Sequence, residues 1–67
     1  MIGYLQGRPL RITGDTVVML VGGVGYELSC SVFSLQSLEG KTFAELWVHT
    51  HVREDALQLF GFSSELE

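Results

Sequence analysis

From Lys41 to Val52 the side chains alternate between two characters with a period of two, a pattern that suits a strand and not a helix. Ala44, Leu46, Val48, Thr50 and Val52 fall on one face, and Phe43, Glu45, Trp47, His49 and His51 on the other. Upstream, Ile2 to Thr13 mixes apolar residues with Gly3, Gly7 and Pro9. The proline assigns the middle of that segment to an edge or a bulge, and the glycines permit the strong bend of a barrel strand. Thr13-Gly14-Asp15 reads as a turn. Thr16 to Val21 is a strand rich in β-branched residues, and Gly22-Gly23-Val24-Gly25 is a tight connection into a third strand, Gly25 to Cys30. In that strand Tyr26, Leu28 and Cys30 point one way while Glu27 and Ser29 point the other.

Between Ser31 and Leu38 the period of two fails. Val32, Leu35 and Leu38 recur at helical spacing behind Ser31 as N-cap, which predicts a helix of one or two turns ending near Gly40. Arg53-Glu54-Asp55 interrupts the fourth strand, and Ala56 to Phe62 forms a fifth. The expected fold is therefore all-β: a small five-stranded OB-fold barrel over residues 1–62, with one short helix between strands three and four. Residues 63–67 are expected to be a polar tail or the start of a linker. Barrel closure also removes the exposed edges of an apolar sheet. An SH3-like barrel is the competing architecture, separated from this one chiefly by the inserted helix.

A chain of 67 residues builds one core, and a core of that size rarely supplies more than roughly 3–5 kcal/mol. Cys30 is the only cysteine, so no disulfide can staple the chain internally, which points to a reducing, cytoplasmic setting. Apolar residues make up 46% and charged residues 18%, which suggests that some apolar surface is covered by another copy or another domain. No apolar run reaches the ~20 residues of a membrane span, and no signal-peptide pattern opens the chain.

The formal net charge is −4: Arg8, Arg11, Lys41 and Arg53 stand against eight acidic residues. Nucleic-acid binders ordinarily carry an excess of basic residues, because phosphate neutralisation supplies much of their affinity. A DNA role would have to use acid deliberately, or draw on basic surface outside these residues.

Several motifs fail on inspection. The glycine cluster joins strand to strand, whereas a phosphate cradle needs a following helix. Gly40-Lys41-Thr42 resembles the end of a P-loop, but Leu35 stands where the first glycine is required. His49 and His51 share a strand face, yet two ligands fall short of the three or four a zinc site uses. No supported nucleophile, base and orienter occur together, so no enzyme chemistry, cofactor or metal is expected. Arg53-Glu54-Asp55 is the most informative group. It reads as a charged hairpin turn, and its two adjacent carboxylates make a compact negative projection that would repel phosphates.

Three blocks then meet a known pattern: Met1-Ile2-Gly3-Tyr4-Leu5-Gln6-Gly7, Val21-Gly22-Gly23-Val24-Gly25-Tyr26-Glu27, and His49-Thr50-His51-Val52-Arg53-Glu54-Asp55-Ala56-Leu57-Gln58-Leu59-Phe60-Gly61-Phe62. In this order and spacing they resemble the N-terminal domain of the RuvA family across nearly the whole chain. The resemblance implies an OB-fold that recognises the four-way Holliday junction as a homotetramer, or as two tetramers enclosing it. It also implies a non-catalytic partner of the RuvB motor ATPase in branch migration, recombination, repair and the SOS response to DNA damage. By the same resemblance Glu54 and Asp55 form the acidic pin at the crossover and Arg53 lies beside the junction centre. The family continues into a helix-hairpin-helix domain that makes most phosphate contacts and a mobile domain that contacts RuvB, which would account for the acidic balance here. Some relatives are basic at position 4, where this chain has Tyr4.

Other classes predict other surfaces. A generic single-strand binder would stack bases on Tyr26, Phe43 and Trp47 in a basic groove. A pure oligomerisation domain would self-associate without touching DNA. A metal-assisted hydrolase would need His49, His51 and Asp55 to converge with further ligands.

Overall fold

The computed structural model describes residues 1–63. Five strands and one helix follow in the order β1 (Tyr4–Thr13), β2 (Thr16–Val21), β3 (Val24–Cys30), α1 (Val32–Leu38), β4 (Ala44–Val52) and β5 (Leu57–Phe62). The strands close into a barrel in the order β1-β2-β3-β5-β4, with the helix inserted between β3 and β4. This is the OB-fold arrangement, and it answers the SH3-like alternative.

Closure depends on β1 changing partners. Its first half pairs with β4, from Tyr4↔Trp47 to Gly7↔Ala44, and its second half with β2, from Arg8↔Leu20 to Thr13↔Thr16. The bend falls at Gly7, where a Cβ would overlap the Leu20 carbonyl oxygen and come within 2.9 Å of Val21 Cγ2. Just beyond it the register slips between Pro9 and Arg11, the bulge expected of the proline. The β2–β3 hairpin turns through Gly22 and Gly23, both at positive φ (56° and 84°), the two-glycine solution to a tight hairpin. The seam is a short parallel contact, Ser29↔Phe60 and Cys30↔Gly61.

Val17, Met19, Leu28 and Leu46 are the largest fully buried apolar side chains, joined in the core by Leu5, Cys30, Leu35, Leu38, Ala44 and Leu59. Each large aliphatic removed from water contributes about 1.5–3 kcal/mol. The helix begins at its expected cap: Ser31 Oγ accepts the Ser34 amide at 3.2 Å.

Its buried face differs from the expected one. Ser34, Leu35 and Leu38 are buried, whereas Val32 is 68% exposed. At about 100° per residue, Ser34, Leu35 and Leu38 lie within one narrow arc, while Val32 sits about 120° from Leu38. Ser34 is tolerated inside because the Ser63 amide donates to its hydroxyl at 3.2 Å, tying the end of β5 to the helix. Of the expected tail, residues 63–67, Ser63 alone is among the described residues, and 64–67 lie outside them.

The β4 alternation holds, with Ala44, Leu46 and Thr50 buried and Glu45, Trp47, His49 and His51 exposed. Val52 keeps the inward phase but is 65% exposed, because the strand has by then passed the barrel.

Candidate functional site

β4 runs away from the helix, and β5 returns to it, so the connection between them lies at the opposite end of these strands. Their ladder extends from Trp47↔Phe62 to Val52↔Leu57. β1 flanks it as far as Tyr4↔Trp47, and Val48 N–H donates to Gly3 O at 2.9 Å. Higher up, Thr50 secures the chain's first residues: Ile2 N–H donates to its hydroxyl at 3.0 Å, and that hydroxyl donates to Ile2 O at 2.6 Å. Among the described residues the last two rungs, His51↔Gln58 and Val52↔Leu57, pair with no third strand. The hairpin therefore leaves the barrel as a two-stranded ribbon.

Arg53, Glu54, Asp55 and Ala56 form its tip, all exposed, and Arg53 N–H closes it by donating to Ala56 O at 2.7 Å. The structure thus brings Arg53, Glu54 and Asp55 together on one projection, as the sequence predicts. Because a backbone bond closes the loop, the carboxylates are left to face solvent. A phosphate about 6 Å from one carboxylate is repelled by about 0.7 kcal/mol at the dielectric of water and about 3 kcal/mol at an effective dielectric of 20. Salt limits that repulsion to a range of about 8 Å at physiological ionic strength. Such a tip excludes phosphate locally and attracts none from afar.

The basic residues form no groove to counter it. Arg8 lies on β1, Arg53 at the tip, and Arg11 and Lys41 line a shallow cleft of 210 Å³ together with Glu39. The rings proposed for base stacking are also divided. Tyr26 packs partly buried against the core from β3, while Phe43 and Trp47 are exposed at and just before β4. Trp47 meets Tyr4 across the β1–β4 pair, ring centroids 5.0 Å apart at 59°. The Tyr4 hydroxyl donates to the Glu45 carboxylate. That bond holds the phenol above its ordinary pKa, with desolvation and the neighbouring negative charge acting the same way. A carboxylate beside the best aromatic pair disfavours a nucleic-acid backbone there.

His49 and His51 both face outward on β4, and His49 leans on Phe60 (6.5 Å, 36°). Cys30 lies inside the barrel. Among the described residues no three His, Cys, Asp or Glu side chains converge as metal ligands. No helix among them is long and apolar enough to cross a membrane.

Sequence reasoning missed three features here. The Tyr4–Glu45–Trp47 cluster and the Thr50–Ile2 clasp join residues some forty positions apart, and only the barrel register brings them together. The exposed Val52–Leu57 rung carried a signal: the two residues stand symmetrically about the charged turn.

The family model described as the RuvA N-terminal domain matches residues 1–61. The chain is 49% identical over its whole length to the Holliday junction branch migration complex subunit RuvA of Bdellovibrio bacteriovorus, covering 35% of that protein. It is 46% identical to the protein of the same name from Syntrophotalea carbinolica, covering 34% of it. It is 34% identical to that of Parabacteroides distasonis, again covering 34%. The chain thus spans about a third of the length of the curated relatives it matches. With a family model matching residues 1–61 and relatives up to 49% identical over the whole chain, the chain belongs to the RuvA N-terminal domain family.

Proposed function

We propose that this domain is the non-catalytic junction-recognition and assembly module of a branch-migration protein, and that its acidic hairpin acts at the crossover of a four-way DNA junction. The carrying observation is the tip itself: Glu54 and Asp55, exposed on a ribbon that no third strand flanks among the described residues. It is also the loop between strands four and five, one of the two loops through which OB-folds ordinarily meet oligonucleotides.

Charge makes the tip a divider rather than a grip. Gathered as a homotetramer, or as two tetramers enclosing the DNA, the copies would set two carboxylates each around one axis. Phosphates held elsewhere would be pushed outward there, keeping the exchanging strands apart. Arg53 balances part of the charge and is positioned to take a phosphate or a neighbouring acid. The grip on the arms falls to other domains, since the four basic residues of this one are dispersed. The same division of labour gives the motor step to a RuvB-type ATPase reached through another domain, in cytoplasmic recombination, repair and the SOS response to DNA damage. Self-association is supported by exposed apolar side chains, Phe33 (70%) and Phe43 (60%) among them, on a domain of only 67 residues.

The test is a binding comparison with the intact protein on a four-way junction, linear duplex of the same arm sequence, and single strand. The reading predicts strong preference for the junction and assembly on it. Equal binding to duplex and junction would refute it, and tighter salt-sensitive binding to single strands would favour a base-stacking role instead.

A further inference from the structure

The rung directly beneath the acidic tip is apolar. Val52 and Leu57 face each other as the last pair of the β4–β5 ladder, 65% and 61% exposed. The next rung on the same face, Thr50↔Leu59, is buried. The core-facing side of the ribbon therefore continues out of the barrel and ends, uncovered, two residues from Glu54 on one strand and two from Asp55 on the other.

We propose that Val52 and Leu57 form an apolar wedge that packs against base faces at the branch point of the junction. The proposal rests on the reading of the tip given above and names the part of the DNA that the tip admits. Two carboxylates above the rung repel phosphates, so the sugar-phosphate backbone is a poor cover for it. Base faces carry no charge. Where backbones are pushed outward, the terminal base pair of each arm loses a stacking neighbour and presents an apolar face toward the tip. Leucine is among the side chains that proteins insert against unstacked base steps. A second copy of the chain is the less suitable occupant. Packing two ribbons directly through this rung would press two tips of net negative charge against each other with no DNA between them, unlike the arrangement around a junction axis proposed above.

The experiment uses the intact protein and a synthetic four-way junction with 2-aminopurine at one branch-point position, at protein concentrations that saturate the junction. Wild-type binding is expected to raise the emission, as the base leaves its stack. Val52→Ser/Leu57→Ser should lose most of that rise while sedimenting as the same assembly, and Val52→Ile/Leu57→Met should keep it. A serine pair that retains the full rise, or a wild type that gives none, overturns the wedge. A serine pair that sediments as smaller assemblies also overturns it, and makes the rung a subunit contact. The underlying reading fails separately. If Glu54→Gln/Asp55→Asn alters strand handling while the serine pair keeps the rise, the tip stands without the wedge. A wild type that does not prefer junction to duplex removes both.

Discussion

Replacing Gly7 by alanine probes how the barrel closes. Gly7 is the last β1 residue paired to β4, and Arg8 is the first paired to β2. A methyl group there would overlap the Leu20 carbonyl oxygen and stand 2.9 Å from Val21 Cγ2. The valine methyl can rotate away, but the carbonyl belongs to the backbone of β2 and cannot. β1 and β2 must then separate at the bend, at the overpacking cost of about 1–3 kcal/mol or more. Alanine returns roughly 0.5–1 kcal/mol by restricting the unfolded chain. The net loss is about 1–1.5 kcal/mol, a sizeable part of the roughly 3–5 kcal/mol available to so small a core. At roughly 4–8 °C per kcal/mol for a domain of this size, Tm should fall by about 4–12 °C. Far-UV circular dichroism at fixed protein concentration measures it, with Gly3→Ala as control, since nothing lies within 4 Å of a Cβ there. A Gly7→Ala protein that melts with wild type would refute the claim that close approach at the bend requires glycine.

Tyr4→Phe should remove an alkaline sensitivity. The hydrogen bond to Glu45 raises the folded-state pKa of Tyr4 above its ordinary value near 10, so its stabilisation is fully present below that pH. It is lost as pH rises through the folded-state pKa, where wild type and variant should converge in urea titrations; a gap that widens there contradicts the assignment. Thr50→Val should release the first residues, because Ile2 loses both of its hydrogen bonds to the Thr50 hydroxyl. Stability should fall by about 1–2 kcal/mol, and amide exchange at Ile2 should accelerate. Unchanged exchange would show that the clasp does not hold the segment.

Much of this fold is legible in the sequence because its signals are local. The β4 alternation, the Pro9 bulge, the paired glycines at 22 and 23 and the Ser31 cap each act within a few residues and each is present in the structure, although β4 begins at Ala44 and not at Lys41, where the alternation starts. Val32 fails because a seven-residue helix offers too few turns to fix its phase, and the Ser34 hydroxyl accepts inside from the nearby Ser31 hydroxyl and from the Ser63 amide, twenty-nine residues away. Val52 fails for another reason: alternation sets the direction of a side chain but not where the barrel ends. The charged turn was legible from its residues alone. Its exposure on an unflanked ribbon was not, because that depends on where β1 and β3 stop pairing.

The most direct test of the account replaces Glu54 and Asp55 by glutamine and asparagine in the intact protein and follows motor-driven branch migration on a four-way junction. Both side chains are exposed and a backbone bond closes their loop, so stability should stay within about 0.5 kcal/mol of wild type. With phosphate repulsion gone, the junction should bind at least as tightly while strand exchange changes in rate or extent. Branch migration identical to wild type, on a variant that folds and assembles normally, would contradict the claim that these two anions divide the strands.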